Sequence, residues 1–184
     1  MIMKSTPQKV IVNSNEMSIT LRRLAHEIIE KLHGVNNLVF IGIQTRGVFI
    51  AKRIVSLIES ITKKTISFGT LDITLYRDDV DRISKQPIVK ETEIPFDITG
   101  KDIILVDDVL FTGRTIRAAM DELIDFGRPK TIKLAVFIDR GCRELPIQPD
   151  FIGLSYPITK KDVISVNLKE TDGKDNVVVY KKGD

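Results

Sequence analysis

The sequence predicts an α/β fold, a doubly wound and mostly parallel sheet flanked by helices. Two observations carry this. The runs at residues 38–43, 102–107 and 131–138 are apolar through most of their length, as strands covered on both faces are. Between them lie segments with apolar residues at three- and four-residue steps, so strands alternate with helices and right-handed crossovers join parallel neighbours. In such sheets ligands gather at the carboxyl ends of the strands.

In chain order, Met17, Leu21, Leu24, Ala25, Ile28, Ile29 and Leu32 fall on one face of a first helix, with Asn15 as its N-cap and Gly34 as its stop. Residues 38–43 form the first buried strand and residues 44–47 a turn. A second helix runs from Val48 to about Ser60, with Ile50, Ala51, Ile54, Leu57 and Ile58 inward. Residues 65–76 are β-branched and extended in character. Residues 77–98 are polar, carry Pro87 and Pro95 and have no period; so long a stretch inside a compact domain is often a functional lid. The strand at 102–107 then leads through a polar turn into a helix from about Thr115 to Phe126, which Gly127 and Pro129 end. After the strand at 131–138, the tail reads as a hairpin of residues 163–168 and 177–180 around residues 171–176.

A chain of 184 residues suits one domain, 1–184, and is short for two. With 29% charged and 42% hydrophobic residues the composition excludes disorder. No apolar stretch approaches the roughly 18–20 residues of a membrane span, and the short apolar run at Val10–Val12 is no signal peptide. The single cysteine, Cys142, excludes an intrachain disulfide; it reads as a passive thiol in a reducing cytoplasm. A net charge of +3 does not by itself suggest nucleic acid.

The most informative stretch is IILVDDVLFTGRT, residues 103–115. A strand delivers two adjacent carboxylates, Asp107 and Asp108, to its carboxyl end, and Thr112, Gly113, Arg114 and Thr115 lead into a helix. Hydroxyls and unpaired N–H groups at a helix N-terminus make an anion site, and a glycine lets the backbone approach closely. Carboxylates there would repel a bare phosphate, so they need another role. Accepting hydrogen bonds from vicinal ribose hydroxyls, with Mg²⁺ offsetting the charge, supplies one. The loop is neither a Walker A nor a dinucleotide fingerprint.

This stretch resembles the phosphoribosyl pyrophosphate (PRPP) signature of the type I phosphoribosyltransferases. Thr45-Arg46-Gly47 looks like that family's pyrophosphate loop, and LDITLYRDD at residues 71–79 precedes what would be its flexible lid, about residues 77–98. Residues 139–153 resemble its hood, which would extend over about 139–160 and include the hairpin at 163–180. Within the superfamily the chain is similar to the PyrR family, bifunctional regulators and uracil phosphoribosyltransferases. The carrying strings are RRLAHEIIE, TRG, DITLYRDD, VDDVLFTGRT, DRGCRELPI and DFIG, spread from about residue 10 to residue 180.

The resemblance implies transfer of the phosphoribosyl group from PRPP to uracil, giving UMP and pyrophosphate. It assigns catalysis to Asp107 and Asp108, and PRPP binding to Thr45, Arg46, Gly47, Arg77, Val109, Leu110, Thr112, Gly113, Arg114 and Thr115. Arg140, Phe151 and Ile152 would hold the base. Mg²⁺ would be carried mainly by PRPP rather than by a dedicated ligand set, with Asp107 and Asp108 the carboxylates in reach. It further implies a homo-oligomer, a dimer or higher, that binds the pyr mRNA leader through Arg22, Arg23, His26 and Arg143 and senses UMP, UTP or guanosine nucleotides. Two departures weaken the RNA reading: where relatives commonly have cations, this chain has Gln148 and Leu154. Two rivals stay open. One is a purine salvage enzyme: hypoxanthine-guanine enzymes usually have an aspartate where Phe111 stands, which disfavours those bases but does not exclude adenine. A nucleotide sensor with little turnover would keep the same pocket.

Overall fold

The computed structural model describes residues 7–73, 91–159 and 162–181. Arg77 and most of the expected lid therefore lie outside the described residues. The main sheet contains β2 (Leu38–Ile43), β3 (Ser67–Leu71), β4 (Asp102–Leu110), β5 (Thr131–Asp139) and β6 (Phe151–Ser155), all parallel, in the order β3-β2-β4-β5-β6. Helices α1 (Ser14–Lys31) and α2 (Arg46–Thr62) cover one face, and α3 (Arg114–Asp125) covers the other. The expected doubly wound parallel sheet is thus what the chain forms.

Strand alternation explains both cores. Along β4, Ile104 and Val106 join the core under α1 and α2, whereas Ile103 and Leu105 join the core with Ile116, Ala119 and Leu123 of α3. Each of these strand side chains is completely buried, which is why the strand reads as a continuous apolar run.

Some boundaries differ from expectation. The first helix is capped by Asn13, not Asn15: Asn13 accepts from the Glu16 backbone N–H at 3.0 Å while the Glu16 carboxylate accepts from the Asn13 N–H at 2.7 Å. That reciprocal pair satisfies two otherwise orphan donors, and no acid stands three residues after Asn15. The second helix begins at Arg46 rather than Val48, and β4 continues to Leu110 instead of ending at Asp107.

The tail hairpin forms as β7 (Val163–Asn167) and β8 (Asn176–Tyr180), joined through the helical turn α4 (Lys169–Asp172). An unexpected strand, β1 (Pro7–Val12), pairs antiparallel with β8 and completes a three-stranded sheet ordered β1-β8-β7. Val12, Val166, Val177 and Val179 pack that sheet into the core shared with α1 and α2. Its α4 turn is tied to α2 through Arg53, whose Nη2 meets Glu170 Oε2 at 2.6 Å and Asp175 Oδ1 at 2.8 Å.

Candidate active site

The helix after β2 and the helix after β4 leave on opposite faces of the sheet, so the carboxyl ends of these adjacent strands open a crevice between them. This is the switch point at which doubly wound sheets bind ligands. The residues expected at 44–47 and 107–115 meet there. Gly47 accounts for the closeness of approach: a Cβ at this position would lie 2.5 Å from the Val106 carbonyl oxygen and 3.1 Å from Asp107 Cα. A Cβ on Gly42 would likewise meet Val48 Cα at 2.5 Å. Two glycines therefore let the first turn of α2 press against the ends of β2 and β4.

Both helix starts can receive an anion. The α2 cap, Thr45, makes no side-chain capping bond, and the Gln44–Thr45 peptide is cis. Gly113, the cap residue of α3, stands at φ 93°, a conformation that favours glycine, and caps nothing with a side chain. Instead Thr112 Oγ1 accepts from the Arg114 N–H at 3.3 Å. The first-turn N–H groups of each helix point along the axis toward the crevice, where helix dipole and donors favour negative charge.

Asp107 is buried and Asp108 half-buried, and the Asp108 N–H donates to Asp107 Oδ1 at 2.9 Å. Burial pushes the Asp108 carboxyl above the usual carboxylate range, opposed by a hydrogen bond with Asp107 and by the charge of Arg46. Arg46 is itself held by Asp172 of the α4 turn, through Nε at 3.3 Å and Nη2 at 2.8 Å. This pairing raises the pKa of the guanidinium and holds the Asp172 carboxyl down at about 2.

Several expected contacts are placed differently. Val109 and Leu110 remain in β4, paired with Ile138 and Asp139; the Leu110 side chain is buried and its carbonyl accepts from the Arg140 N–H at 3.1 Å. The turn toward α3 thus starts at Phe111. The Arg114 side chain faces Glu144, with Nε 2.9 Å from Oε2, and Thr115 is half-buried in the first turn of α3.

The residues expected to hold the base stand at the start of β6 and just after β5. Phe151 is 1% exposed and opens β6 level with Ala135, which pairs with Val106 below the rim of the sheet. It is a core residue beside α1, with Lys31 Nζ 5.1 Å from its ring, and Ile152 follows within the same strand. The Phe151 side chain is in the core under α1 and α2, whereas Ile152 is half-buried and level with Val136 and Asp107. Arg140 is buried as well: Nη2 donates to the carbonyls of Thr159 and Asp162 at 3.2 and 3.0 Å, while its guanidinium stacks 3.7 Å from the Phe111 ring centroid. Burial lowers its pKa. Arg140 props Phe111 from behind, and the half-buried Phe111 is the aromatic surface at the rim of the loop.

Arg143 also moves, from expected RNA contact to internal clamp. Its Nη2 lies 2.7 Å from Asp139 Oδ1, Nε donates to the Ile147 carbonyl at 2.9 Å, and Nη1 donates to the carbonyls of Phe111 and Gly141 at 3.0 and 3.3 Å. Residues 141–147 are thereby pinned over the loop, and the Glu144 and Leu145 N–H groups reinforce this by donating to the Thr112 carbonyl. Truncating one partner of a half-buried pair leaves the other poorly compensated, so Arg143→Ala should destabilise the protein by about 1–3 kcal/mol. Thermal unfolding checks this; an unchanged midpoint would return Arg143 to a surface role.

On α1, Arg22 and His26 are exposed and lie four residues apart, hence on neighbouring turns. Arg23 is more engaged: it pairs with Glu27 at 3.2 Å and donates to the carbonyls of Ile152 and Gly153, tying α1 to β6. Leu154, inside β6, packs against the core.

The phosphoribosyl transferase domain family matches residues 7–171. The bifunctional protein PyrR of Elusimicrobium minutum is 52% identical over 175 residues, covering 95% of this chain and 98% of the relative. That of Thermus aquaticus is 52% identical over 172 residues, 94% of this chain and 95% of the relative. Among solved structures, hypoxanthine phosphoribosyltransferase of Trypanosoma cruzi superposes with TM-score 0.71 at 16% identity, over 95% of this chain and 97% of its own. The likeness to it is one of fold.

Proposed function

Since the chain belongs to the PyrR family of phosphoribosyl transferases, we propose that it converts uracil and PRPP to UMP and pyrophosphate at the crevice between β2 and β4. The observation that carries this reading is the pressing of Gly47 against Val106 and Asp107, which sets an anion-ready helix start beside two carboxylates.

The 5-phosphate of PRPP sits on the amides and hydroxyls of residues 112–115, and the pyrophosphate on residues 45–47. Asp107 and Asp108 accept hydrogen bonds from the ribose hydroxyls and stabilise the positive charge that develops as the bond from C1 to the pyrophosphate oxygen breaks. A uracil ring nitrogen then bonds to C1, and its proton passes to the released pyrophosphate or to solvent. The protein's part is alignment, fixed charge and exclusion of water.

Mg²⁺ fits this donor set as a cation brought with the substrate. Hard oxygen donors suit this ion, so pyrophosphate oxygens would supply most ligands, with Asp107 and Asp108 the carboxylates in reach. Bound there, the ion neutralises charge on the leaving group.

Phe111 stands where hypoxanthine-guanine enzymes usually place a proton-transferring aspartate, and its ring offers the base a stacking surface instead. Incubating the protein with PRPP, Mg²⁺ and each nucleobase in turn should yield UMP from uracil well ahead of any purine nucleotide. Faster turnover of hypoxanthine or adenine would reject the pyrimidine reading.

A regulatory role, with UMP, UTP or guanosine nucleotides as effectors and a pyr leader RNA as partner, is supported by the exposed Arg22 and His26. Because Arg23 and Arg143 have internal partners, the clean test uses the other two. Arg22→Ala with His26→Ala should weaken leader binding and flatten its salt dependence by about one unit of slope, with uracil transfer intact. Wild type binding the leader no better than an unrelated RNA of equal length would remove this role.

A further inference from the structure

Asp172 lies 126 residues from Arg46 in the chain, yet its carboxylate takes one edge of that guanidinium. The carboxylate is well held. Oδ2 accepts from the Leu168 N–H at 3.0 Å and from Thr171 Oγ1 at 2.6 Å, leaving Oδ1 for Arg46 Nη2 at 2.8 Å. The turn that carries it is fixed in turn by Arg53, seven residues after Arg46 and so on the same face of α2, through Glu170 and Asp175. Asp108 is also close enough to Arg46 for each charge to act on the other. The Arg46 fork uses Nε and Nη2 for Asp172, and no described residue engages Nη1. Arg46 is only half-buried, so without a partner its long side chain would sample many rotamers.

We propose that Asp172 is a positioning residue for phosphoribosyl transfer, gripping one edge of Arg46 so that the other edge meets the pyrophosphate of PRPP. The inference rests on the reading that residues 45–47 receive pyrophosphate. A guanidinium fixed by a bidentate partner keeps its remaining donors aimed, and little entropy is lost when an anion arrives. The small sheet at the chain's end thereby contributes to a site otherwise built from the loops of β2 and β4.

The test compares wild type, Asp172→Asn, Asp172→Glu, Arg46→Ala and the double variant Arg46→Ala/Asp172→Asn in steady-state uracil transfer. Asp172→Asn should raise the KM for PRPP about tenfold, in the range an oriented charged hydrogen bond supplies. It should leave the KM for uracil and kcat within about twofold, because the contact is made equally in ground and transition states. Asp172→Glu should recover part of the loss, and Asp172→Asn should add nothing once Arg46 is alanine. An acid arm reports the pairing itself. Asp172 has its folded pKa depressed to about 2 from 3.8, so the stability it contributes is present above pH 3.8 and lost as pH falls through about 2. Wild type should therefore lose more stability than Asp172→Asn between those values. An unchanged or lowered KM for PRPP in a folded Asp172→Asn protein overturns the proposal, and a lowered one would make Asp172 a competitor of pyrophosphate. Arg46→Ala leaving the KM for PRPP unchanged would instead overturn the pyrophosphate reading on which it rests.

Discussion

Replacing Asp107 and Asp108 together with asparagine should lower UMP formation at least ~10²-fold while the protein stays folded. Asparagine keeps the volume of each side chain and the capacity to accept a hydrogen bond, so ribose can still be held. What is lost is two negative charges at the end of β4, beside the carbon on which positive charge develops. Asp107 is buried and Asp108 half-buried, so water screens neither charge as it would on an open surface. The acid side of the pH profile gives a second check. Because burial raises the Asp108 pKa, this carboxyl protonates at higher pH than an ordinary aspartate. In the free enzyme kcat/KM should therefore fall, as pH is lowered, through a value above the usual ~3.9. A folded double variant with near-normal turnover would place the chemistry elsewhere.

Gly47→Ala should have the second large effect. The added methyl would stand 2.5 Å from the Val106 carbonyl oxygen, far inside contact distance, and the opposing atoms are backbone in a central strand. Relief requires α2 to back away from β4, which opens the crevice between the pyrophosphate loop and the carboxylates. Overpacking of this kind costs about 1–3 kcal/mol of stability. The larger consequence is misplacement: a shift approaching 1 Å between the two halves of a site is enough for about a 10²-fold loss of activity. Unfolding midpoint and kcat/KM should both fall, the second far more than stability alone requires. An alanine variant with wild-type kinetics would show that the closeness of Gly47 to β4 does not set the site. Gly100, by contrast, stands at φ 72° with nothing near its missing Cβ, and is a useful control for backbone strain away from the crevice.

How much of the fold is legible in the sequence depends on how local each signal is. Strands β2, β4 and β5 and the three long helices announce themselves because both their faces or one full face are apolar. The strand-acids-turn-helix order of residues 103–115 places Asp107, Asp108 and Thr112 without any long-range information. Asn13 was also legible, through Glu16 three residues on, although Asn15 competes with it in the same polar run. The burial of Phe151 is not legible locally, because a five-residue strand such as FIGLS has too short a pattern to show which residue enters the core; pairing with β5 fixes it. Strand β1 is hidden for a related reason, since its partner β8 lies at the far end of the chain. Arg143 and Asp172 are the clearest cases of missing information. Their sequence neighbourhoods give no sign of these partners, and only the folded chain brings Arg143 to the Phe111 carbonyl or Asp172 to Arg46.

The measurement that bears most directly on the crevice as the working site is a crystal structure of the protein with PRPP and Mg²⁺ in the absence of uracil. Density should place the 5-phosphate on residues 112–115, the ribose hydroxyls against Asp107 and Asp108, and the pyrophosphate on residues 45–47 with Arg46 still paired to Asp172. PRPP ordered at any other surface, or with its pyrophosphate away from Arg46 and Gly47, would contradict the account.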